Sequence, residues 1–384
     1  MAVETPLMPV LRQEIRAAGG KITFARFMEL CLYHPQHGYY NTERVKLGRH
    51  GDFYTSAHTG PAFARLLARH FELLWRELGK PAQFDLVELG PGDGSFAAEL
   101  LPWVAKRFPE FWSVFQYTAV EQSPRFRTCL QDRLAAFGDR VRVLDSLPSA
   151  GATPPLAGGR GSAAASAPKD GITGCLFANE FFDALPVHIL AGRRSGWRER
   201  YVCLQREALA WSEGEPSSPE LERIAARCLG NLQNDFVAEV CLAAEAWLEA
   251  ISRTLRRGEL LVVDYGFEAG QWQAGRFPDG SALAYRQHRA ADDLLADPGE
   301  QDLTAHVNFT HLRMAGRKRG LEPLAHMTQA QFLMALGESD QFQDVFSDCA
   351  TDRTRQHRAR QLKTLLVPPG LGTTFQVLEF RKGM

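Results

Sequence analysis

Residues 87–96 read V-E-L-G-P-G-D-G-S-F, and this stretch decides the fold. An apolar run from Phe84 to Leu89 comes before it, and sequence compatible with a helix follows from Ser95. Three glycines occupy alternate positions in between, at 90, 92 and 94. Glycine lets the backbone adopt positive φ and approach a ligand closely. The order of strand, glycine turn and helix therefore predicts a nucleotide-type binding turn.

The spacing of this turn separates it from a dinucleotide site. It is E-x-G-x-G-x-G rather than G-x-G-x-x-G, and it resembles the first motif of class I methyltransferases that use S-adenosylmethionine. A second carboxylate, Glu121, follows the next predicted strand and could accept both ribose hydroxyls of an adenosine. The alternative is an exposed glutamate at a strand end. The gap from Glu88 to Glu121 exceeds the roughly 20 residues of dinucleotide folds, which disfavours an NAD oxidoreductase.

Composition places modest bounds on function. The chain has 384 residues, of which 45% are hydrophobic and 23% charged, and its formal net charge is −1. These values are ordinary for a globular protein, and the net charge predicts no nucleic-acid partner. Its seven cysteines are scattered without a C-x-x-C pair, which indicates reduced thiols. With no apolar run of about 18 residues and no signal or transit pattern, we expect a cytoplasmic protein without a membrane span.

Strands alternate with helices over most of the chain, which predicts a doubly wound, largely parallel α/β sheet. Alternating apolar and polar residues from Val187 to Ser212 predict an antiparallel meander appended to that sheet, and a helix is expected at 236–256. Residues 1–80 are predicted to form a helical N-terminal extension with a lid loop. The core is predicted in two parts: 81–186, which contains a disordered surface insertion at 149–170, and 258–384, which contains a helical insertion. Residues 187–257 between these parts are predicted to form the inserted meander with helices.

Polar residues cluster where predicted strands end. The residues at or near these ends are Glu88, Glu121, Asp145, Asn179, Glu180 and Asp264. Ligands bind at the carboxyl ends of the strands in doubly wound sheets, so we expect one composite site there. Asp145 could accept a hydrogen bond from the adenine amino group. A lone acid after a short strand fits an acid that binds no ligand equally well.

The segment 179–186, N-E-F-F-D-A-L-P, is the candidate for the chemistry. Asn179, Glu180 and Asp183 are the predicted catalytic residues, because paired carboxylates suit a cationic nucleophile such as a guanidinium group. The alternative is a strand-to-loop turn whose phenylalanines pack in the core. Thr55 and Ser56, in the loop from Gly38 to Ser56, could hold the amino-acid end of the cofactor, but an ordinary turn fits nearly as well.

The histidines give weaker signals. His34 and His37 flank Pro35 and have no ligand partners at metal spacing, so no metal site is predicted. His306 could orient a catalytic group or accept a proton, and a hydrogen-bonded structural histidine is the commoner outcome.

Several motifs taken together resemble the MidA family over roughly residues 15–380. The motifs are, in order, G-Y-Y at 38–40, G-D-F-Y-T-S at 51–56, V-E-L-G-P-G-D-G at 87–94, A-N-E-F-F-D-A-L-P-V at 178–187, V-V-D-Y-G at 262–266, D-L-T-A-H-V-N-F at 302–309 and T-Q-A-Q-F-L-M-A-L-G at 328–337. The sequence departs from the family where Ala57–Ala64 replaces P-E-x-S-x-x-F-G.

The resemblance implies a class I methyltransferase (Rossmann-like) doubly wound sheet with a helical N-terminal extension and an inserted substrate-side region. It also implies S-adenosylmethionine as cofactor and N-methylation of arginine in a protein partner. In the mitochondrial members this partner is a subunit related to complex I, and the methylation assists complex I assembly. The residues that match the family's cofactor motif are Glu88, Gly90, Pro91, Gly92, Asp93 and Gly94. The alternative is a non-catalytic assembly factor that retains the fold, and a homodimer stays open as the assembly state.

Overall fold

The structure is a computed structural model and describes residues 4–42, 60–147, 171–229, 236–274, 276–286, 289–291, 293–367 and 371–384. The helices are α1 (Met8–Ala17), α2 (Phe24–Tyr33), α3 (Pro61–Glu77), α4 (Ser95–Arg107), α5 (Pro109–Val114), α6 (Pro124–Leu134), α7 (Pro219–Leu229), α8 (Leu242–Thr254), α9 (Ala269–Gln273), α10 (Phe309–Lys318), α11 (Gln329–Glu338), α12 (Gln343–Phe346) and α13 (Asp352–Leu366). Short 3-10 turns cover Tyr39–Asn41 and Ala135–Arg140.

The strands divide among a central sheet and two smaller sheets. They are β1 (Lys21–Thr23), β2 (Phe84–Leu89), β3 (Phe115–Val120), β4 (Val141–Leu144), β5 (Ile172–Asn179), β6 (His188–Arg193), β7 (Gly196–Gln205), β8 (Ala208–Gly214), β9 (Val237–Val240), β10 (Leu255–Phe267), β11 (Leu283–Arg286), β12 (Arg289–Ala291), β13 (Asp302–Thr304), β14 (Val307–Asn308), β15 (Glu322–Thr328) and β16 (Phe375–Lys382).

The central sheet has the order β15-β16-β10-β5-β2-β3-β4, with β14 paired to the end of β10. Strands β4, β3, β2, β5 and β10 are parallel, whereas β16 runs antiparallel to both β10 and β15. The predicted doubly wound α/β sheet is confirmed. The order of the strands reverses between β2 and β5, so the glycine turn and the N-E-F-F-D segment emerge side by side at the carboxyl edge.

Both faces of the central sheet are covered by apolar side chains. All six residues of β2 are buried, as expected for a parallel strand with helices on both sides. Helices α3 and α4 cover one face through side chains such as Phe71 and Phe96. Trp247 and Ile251 of α8 cover the other face. Together these layers hold the carboxyl ends of β2 and β5 in a rigid frame.

The predicted meander exists, but it is not appended to the central sheet. Strands β6, β7, β8 and β9 form a separate antiparallel sheet, which β1 extends from the N-terminal region through the pair Ile22 and Val202. The helix expected at 236–256 is shorter, because its first part is strand β9, which pairs with β6. Helix α8, which lies within the segment 187–257, packs on the central sheet.

Candidate active site

The glycine turn follows β2 and contains three left-handed glycines at alternate positions. The φ values are 65° at Gly90, 56° at Gly92 and 77° at Gly94, a region that side chains with a Cβ rarely adopt. The Gly90 amide donates to Val120 O at 2.9 Å, which fixes the start of the turn against β3. A Cβ at Gly90 would lie 3.0 Å from Cδ2 of Phe181. Glycine at 90 therefore lets the N-E-F-F-D segment approach the turn.

Gly94 has a different structural reason for being glycine. It precedes α4, and a Cβ there would lie 2.7 Å from Cδ2 of Leu130 on α6. The residue does not line the cleft that the neighbouring glycines border. The third glycine thus allows close packing of two helices and contributes no wall to the cleft.

Glu121 is buried directly beside the turn. Its Oε2 accepts the Gly92 amide at 3.2 Å, and its Oε1 accepts the Ser123 amide at 2.7 Å. Burial raises the pKa of Glu121 to about 7, against the opposite effect of these backbone amides. Its carboxylate connects the end of β3 to the middle of the glycine turn.

Glu88 lies at the base of the same turn. It is buried and accepts a hydrogen bond from the Tyr117 hydroxyl on β3. Burial raises the pKa of Glu88 to about 8, and the nearby carboxylates of Asp93 and Glu121 act in the same direction. Glu88 is therefore largely protonated at neutral pH, which lowers the electrostatic cost of placing several acids together.

The N-E-F-F-D segment is held by a carboxylate from the neighbouring strand. Asp264 is fully buried in β10, and its Oδ2 accepts the amides of Phe181, Phe182 and Asp183 at 3.2, 3.0 and 3.3 Å. Glu180 begins this turn with a φ of 51°, and its amide donates to Val263 O at 2.9 Å. A left-handed non-glycine residue persists only where its surroundings hold it, and Asp264 supplies that support.

Asp183 ends the turn inside the protein, with 4% of its surface exposed. Its Oδ1 is buried and accepts no hydrogen bond from the described residues. Burial raises the pKa of Asp183 to about 6, while the nearby Tyr265 hydroxyl works in the opposite direction. At neutral pH Asp183 is therefore mostly a carboxylate, and it is more basic than an ordinary aspartate.

These groups surround one cleft with about 1090 Å³ of empty space, part of it open to solvent. Gly90, Pro91, Gly92 and Asn179 contribute to its wall. The carboxyl groups that line it are Glu88, Asp93, Glu121, Glu180, Asp183 and Asp302. No arginine, lysine or histidine of the described ranges lines it. Such a cleft is electrostatically suited to cations.

Several lining residues were not identified as site residues from sequence, among them two tyrosines, a tryptophan and an aspartate. Tyr33 and Tyr40 come from the N-terminal region, Trp247 from α8 and Asp302 from β13. Tyr40 stands in the G-Y-Y motif, and Asp302 begins an alternating polar stretch, so both carried a signal in the sequence. Trp247 had none beyond its place in an amphipathic helix.

Other predicted residues lie elsewhere. Asp145 accepts a hydrogen bond from Ser146 Oγ at 2.9 Å and is not part of the cleft wall. His306 Nδ1 lies 3.3 Å from Ser281 O, and the histidine lines a separate cavity. Thr55 and Ser56 lie outside the described residues, as do most of the Gly38–Ser56 loop and the 149–170 segment.

The fold and cleft are those of an S-adenosylmethionine-dependent methyltransferase. Residues 66–327 match the family described as "Putative S-adenosyl-L-methionine-dependent methyltransferase", and the chain belongs to this family. The predicted cofactor is confirmed at this level, as is the resemblance to the MidA family. The match covers both halves of the central sheet and the whole of the cleft-lining turn.

Two curated relatives are named "Protein arginine methyltransferase NDUFAF7, mitochondrial". The human protein is 29% identical over 403 residues, which cover 97% of this chain and 83% of the relative. The Xenopus laevis protein is 31% identical over 335 residues, covering 83% and 71%. A solved structure from Burkholderia thailandensis, bound to S-adenosyl-homocysteine, is 29% identical with a TM-score of 0.83 and covers 100% of this chain and 95% of that chain.

These names correct one expectation. The prediction of a cytoplasmic protein is wrong by this comparison, because the curated relatives from rat, cattle, human and Drosophila melanogaster are all named mitochondrial. Composition and thiol state did not distinguish the two compartments. Within the described ranges, no helix is both long and apolar enough to cross a bilayer. In the same ranges, no three or more His, Cys, Asp or Glu side chains are arranged so that they could hold a metal ion.

Proposed function

We propose that this protein transfers a methyl group from S-adenosylmethionine to an arginine side chain of a protein partner. The observation that carries the proposal is the cleft with six carboxyl groups and no basic lining residue in the described ranges. Both reactants are cations, a sulfonium and a guanidinium, and the cleft offers the opposite charge to each. The names of the relatives as protein arginine methyltransferases support the same substrate class.

The residues present fit the cofactor. The glycine turn at 90–92 would hold the methionine end, since its backbone borders the cleft without side chains. Glu121 would accept the ribose hydroxyls, because its carboxylate is fixed by two amides and lies at the end of the adjacent strand. Pro91 and Asp93 would complete that wall, and Glu88 would stay protonated beneath it.

The nucleophile would lie against Glu180 and Asp183. These carboxylates hold the positive charge of the guanidinium on its distal nitrogens, and Asn179 is positioned beside Glu180, with Nδ2 3.3 Å from Glu180 Oε1. When the cofactor is bound, a nitrogen–carbon bond forms as the carbon–sulfur bond breaks, S-adenosylhomocysteine is left, and the proton lost from nitrogen goes to a carboxylate. Asp183, whose pKa is raised by burial, is the proposed acceptor of that proton.

Labelled-methyl transfer into an extract of cells that lack the gene tests this proposal. We expect label in a protein band whose hydrolysate contains methylarginine, and at least about a hundredfold lower rate with Asp183→Asn, which removes the proposed proton acceptor. Glu268→Gln is the control, because Glu268 pairs with Arg313 and His326 away from the cleft.

The alternative of a non-catalytic assembly factor gives a different result. It predicts that S-adenosylhomocysteine binds in calorimetry while no extract accepts label. Label in lysine or in a small molecule, with none in arginine, would contradict the proposed substrate.

A further inference from the structure

Two tyrosines of the N-terminal region reach into the substrate side of the cleft. The Tyr33 hydroxyl donates to Ala184 O at 2.8 Å, directly after the N-E-F-F-D turn. The Tyr40 hydroxyl donates to Asp302 Oδ1 at 3.0 Å. Their ring centroids are 5.5 Å apart, and both rings line the cleft. The N-terminal region thus forms one wall of the active cleft, beyond its contacts with the smaller sheet.

Asp302 faces the same space as Asp183. The Ala305 amide, just past β13, donates to Asp183 O at 3.0 Å, which ties this strand to the turn. Asp302 and Asp183 are each only 4% exposed. Burial raises the pKa values of both Tyr33 and Tyr40, and the charges of Asp302 and Asp183 act in the same direction. The four side chains therefore belong to one compartment.

A buried acidic pair of this kind calls for a cation. Asp183 lines the cleft, and its buried Oδ1 accepts no hydrogen bond of normal geometry from the described residues, although the Tyr265 hydroxyl lies near enough to lower the pKa of this carboxyl. A buried carboxylate oxygen without a donor costs free energy unless a ligand supplies one. A planar guanidinium supplies several donors in a fixed geometry and stacks on aromatic faces, whereas an ammonium does neither as well.

We propose that Asp302, Asp183, Tyr33 and Tyr40 form the subsite that binds the guanidinium group of the substrate arginine. This inference rests on the proposed function, and it adds a residue from β13 and an aromatic wall from the N-terminal region to the substrate site. Asp302 and Asp183 bind the charged head group, and the two adjacent rings form an aromatic wall against one of its faces. The subsite requires positive charge and planarity, and so selects an arginine over a lysine or an uncharged isostere.

Binding can be measured without catalysis. The probe is Nα-acetyl-arginine methylamide, titrated by calorimetry into the full chain saturated with S-adenosylhomocysteine. We expect the citrulline analogue, which has nearly the same shape without the charge, to bind at least about tenfold more weakly, because it leaves the carboxylates unpaired. The lysine analogue is expected to lie between the two.

The variants separate charge from structure. Asp302→Asn keeps an oxygen that can accept from Tyr40, so the fold is retained, and the arginine analogue should bind at least about tenfold more weakly. Tyr40→Phe removes only the hydroxyl and keeps the Tyr40 carbonyl that accepts from Ser123 Oγ at 3.1 Å. A smaller loss, about threefold to tenfold, is expected for it. Glu268→Gln is the matched control and should bind like the wild type.

Two results would overturn the subsite. One is unchanged affinity of the arginine analogue in Asp302→Asn and Tyr40→Phe. The other is no detectable binding of that analogue to the wild type. Affinity for S-adenosylhomocysteine, expected to change less than about twofold, reports whether each variant is folded. If the analogue binds as expected while no protein arginine is methylated in extracts, the proposed function fails and the subsite stands.

Discussion

Asp264 offers the sharpest test of how the candidate site is held together. Asp264→Ala removes the acceptor of four amides, those of residues 181–183 and that of Tyr265. Each buried amide without an acceptor costs about 1–3 kcal/mol, so four set a ceiling of about 12 kcal/mol. Water entering from the cleft and the relief of burying a carboxyl group reduce that value. We expect a loss of about 3–5 kcal/mol in the free energy of unfolding, as when one partner of a buried charged network is removed.

The assay is urea unfolding, with S-adenosylhomocysteine affinity measured on the same samples. Asp264→Asn should cost less, about 1–2 kcal/mol, because the amide oxygen still accepts from the turn. Burial, together with the nearby charges of Asp183 and Glu180, raises the pKa of Asp264 well above its usual value, which favours a neutral acceptor at this position. Asp85→Ala is the control, since Asp85 is also a buried aspartate in a central strand but lies away from the turn and accepts from Gln83. A loss below about 1 kcal/mol in Asp264→Ala, with an unchanged urea slope, would refute the reasoning.

Three further predictions follow from the contacts described. Burial raises the pKa of Glu121 to about 7, so affinity for S-adenosylhomocysteine should rise between about pH 6 and 8 as the carboxylate forms. Calorimetry should find that Glu121→Gln binds more weakly and with a smaller rise over this range, in which Glu88 still titrates. Gly94→Ala should lower the free energy of unfolding by about 1–3 kcal/mol, because Gly94 has a φ of 77° and a Cβ there would contact Leu130; a thermal shift would show this loss. A titration should find its affinity for S-adenosylhomocysteine within about twofold of the wild type. Burial lowers the pKa of His70, but the charge of Glu259 outweighs this effect, so the pKa is raised in the folded protein. The stabilisation from His70 is therefore complete below pH 6.5, the pKa of the unfolded state, and is lost as the pH rises through the folded pKa. Urea unfolding at several pH values should show a smaller loss of stability with rising pH in His70→Gln.

Much of the fold could be predicted because its signals are local. The run from Phe84, the glycines at 90–94 and the helix from Ser95 are consecutive in sequence, and each element has its own residue pattern. Alternation of strands and helices then constrains the sheet to a few topologies. Glu121 and the 179–183 segment were placed at one edge because the carboxyl ends of parallel strands lie together, whereas the position of the switch point between β2 and β5 was not predicted.

The parts that the sequence did not predict depend on distant pairings. Strand β1 joins the smaller sheet through residues nearly 180 positions away, so no local pattern could show that this sheet is separate. Val237–Val240 is a short apolar run that fits a helix or a strand equally well, and pairing with β6 decides between them. Asp302 enters the cleft only because Ala305 bonds to the Asp183 backbone, a contact between segments far apart in sequence.

The position of β16 has a consequence for how the protein is made. Residues 375–382 follow every other described strand along the chain, yet they lie in the sheet between β10 and β15. A chain emerging from the ribosome cannot close this gap until residues 375–382 have been synthesised. Until then the nascent polypeptide exposes the open flanks of β10 and β15, where chaperones or other strands can pair with it.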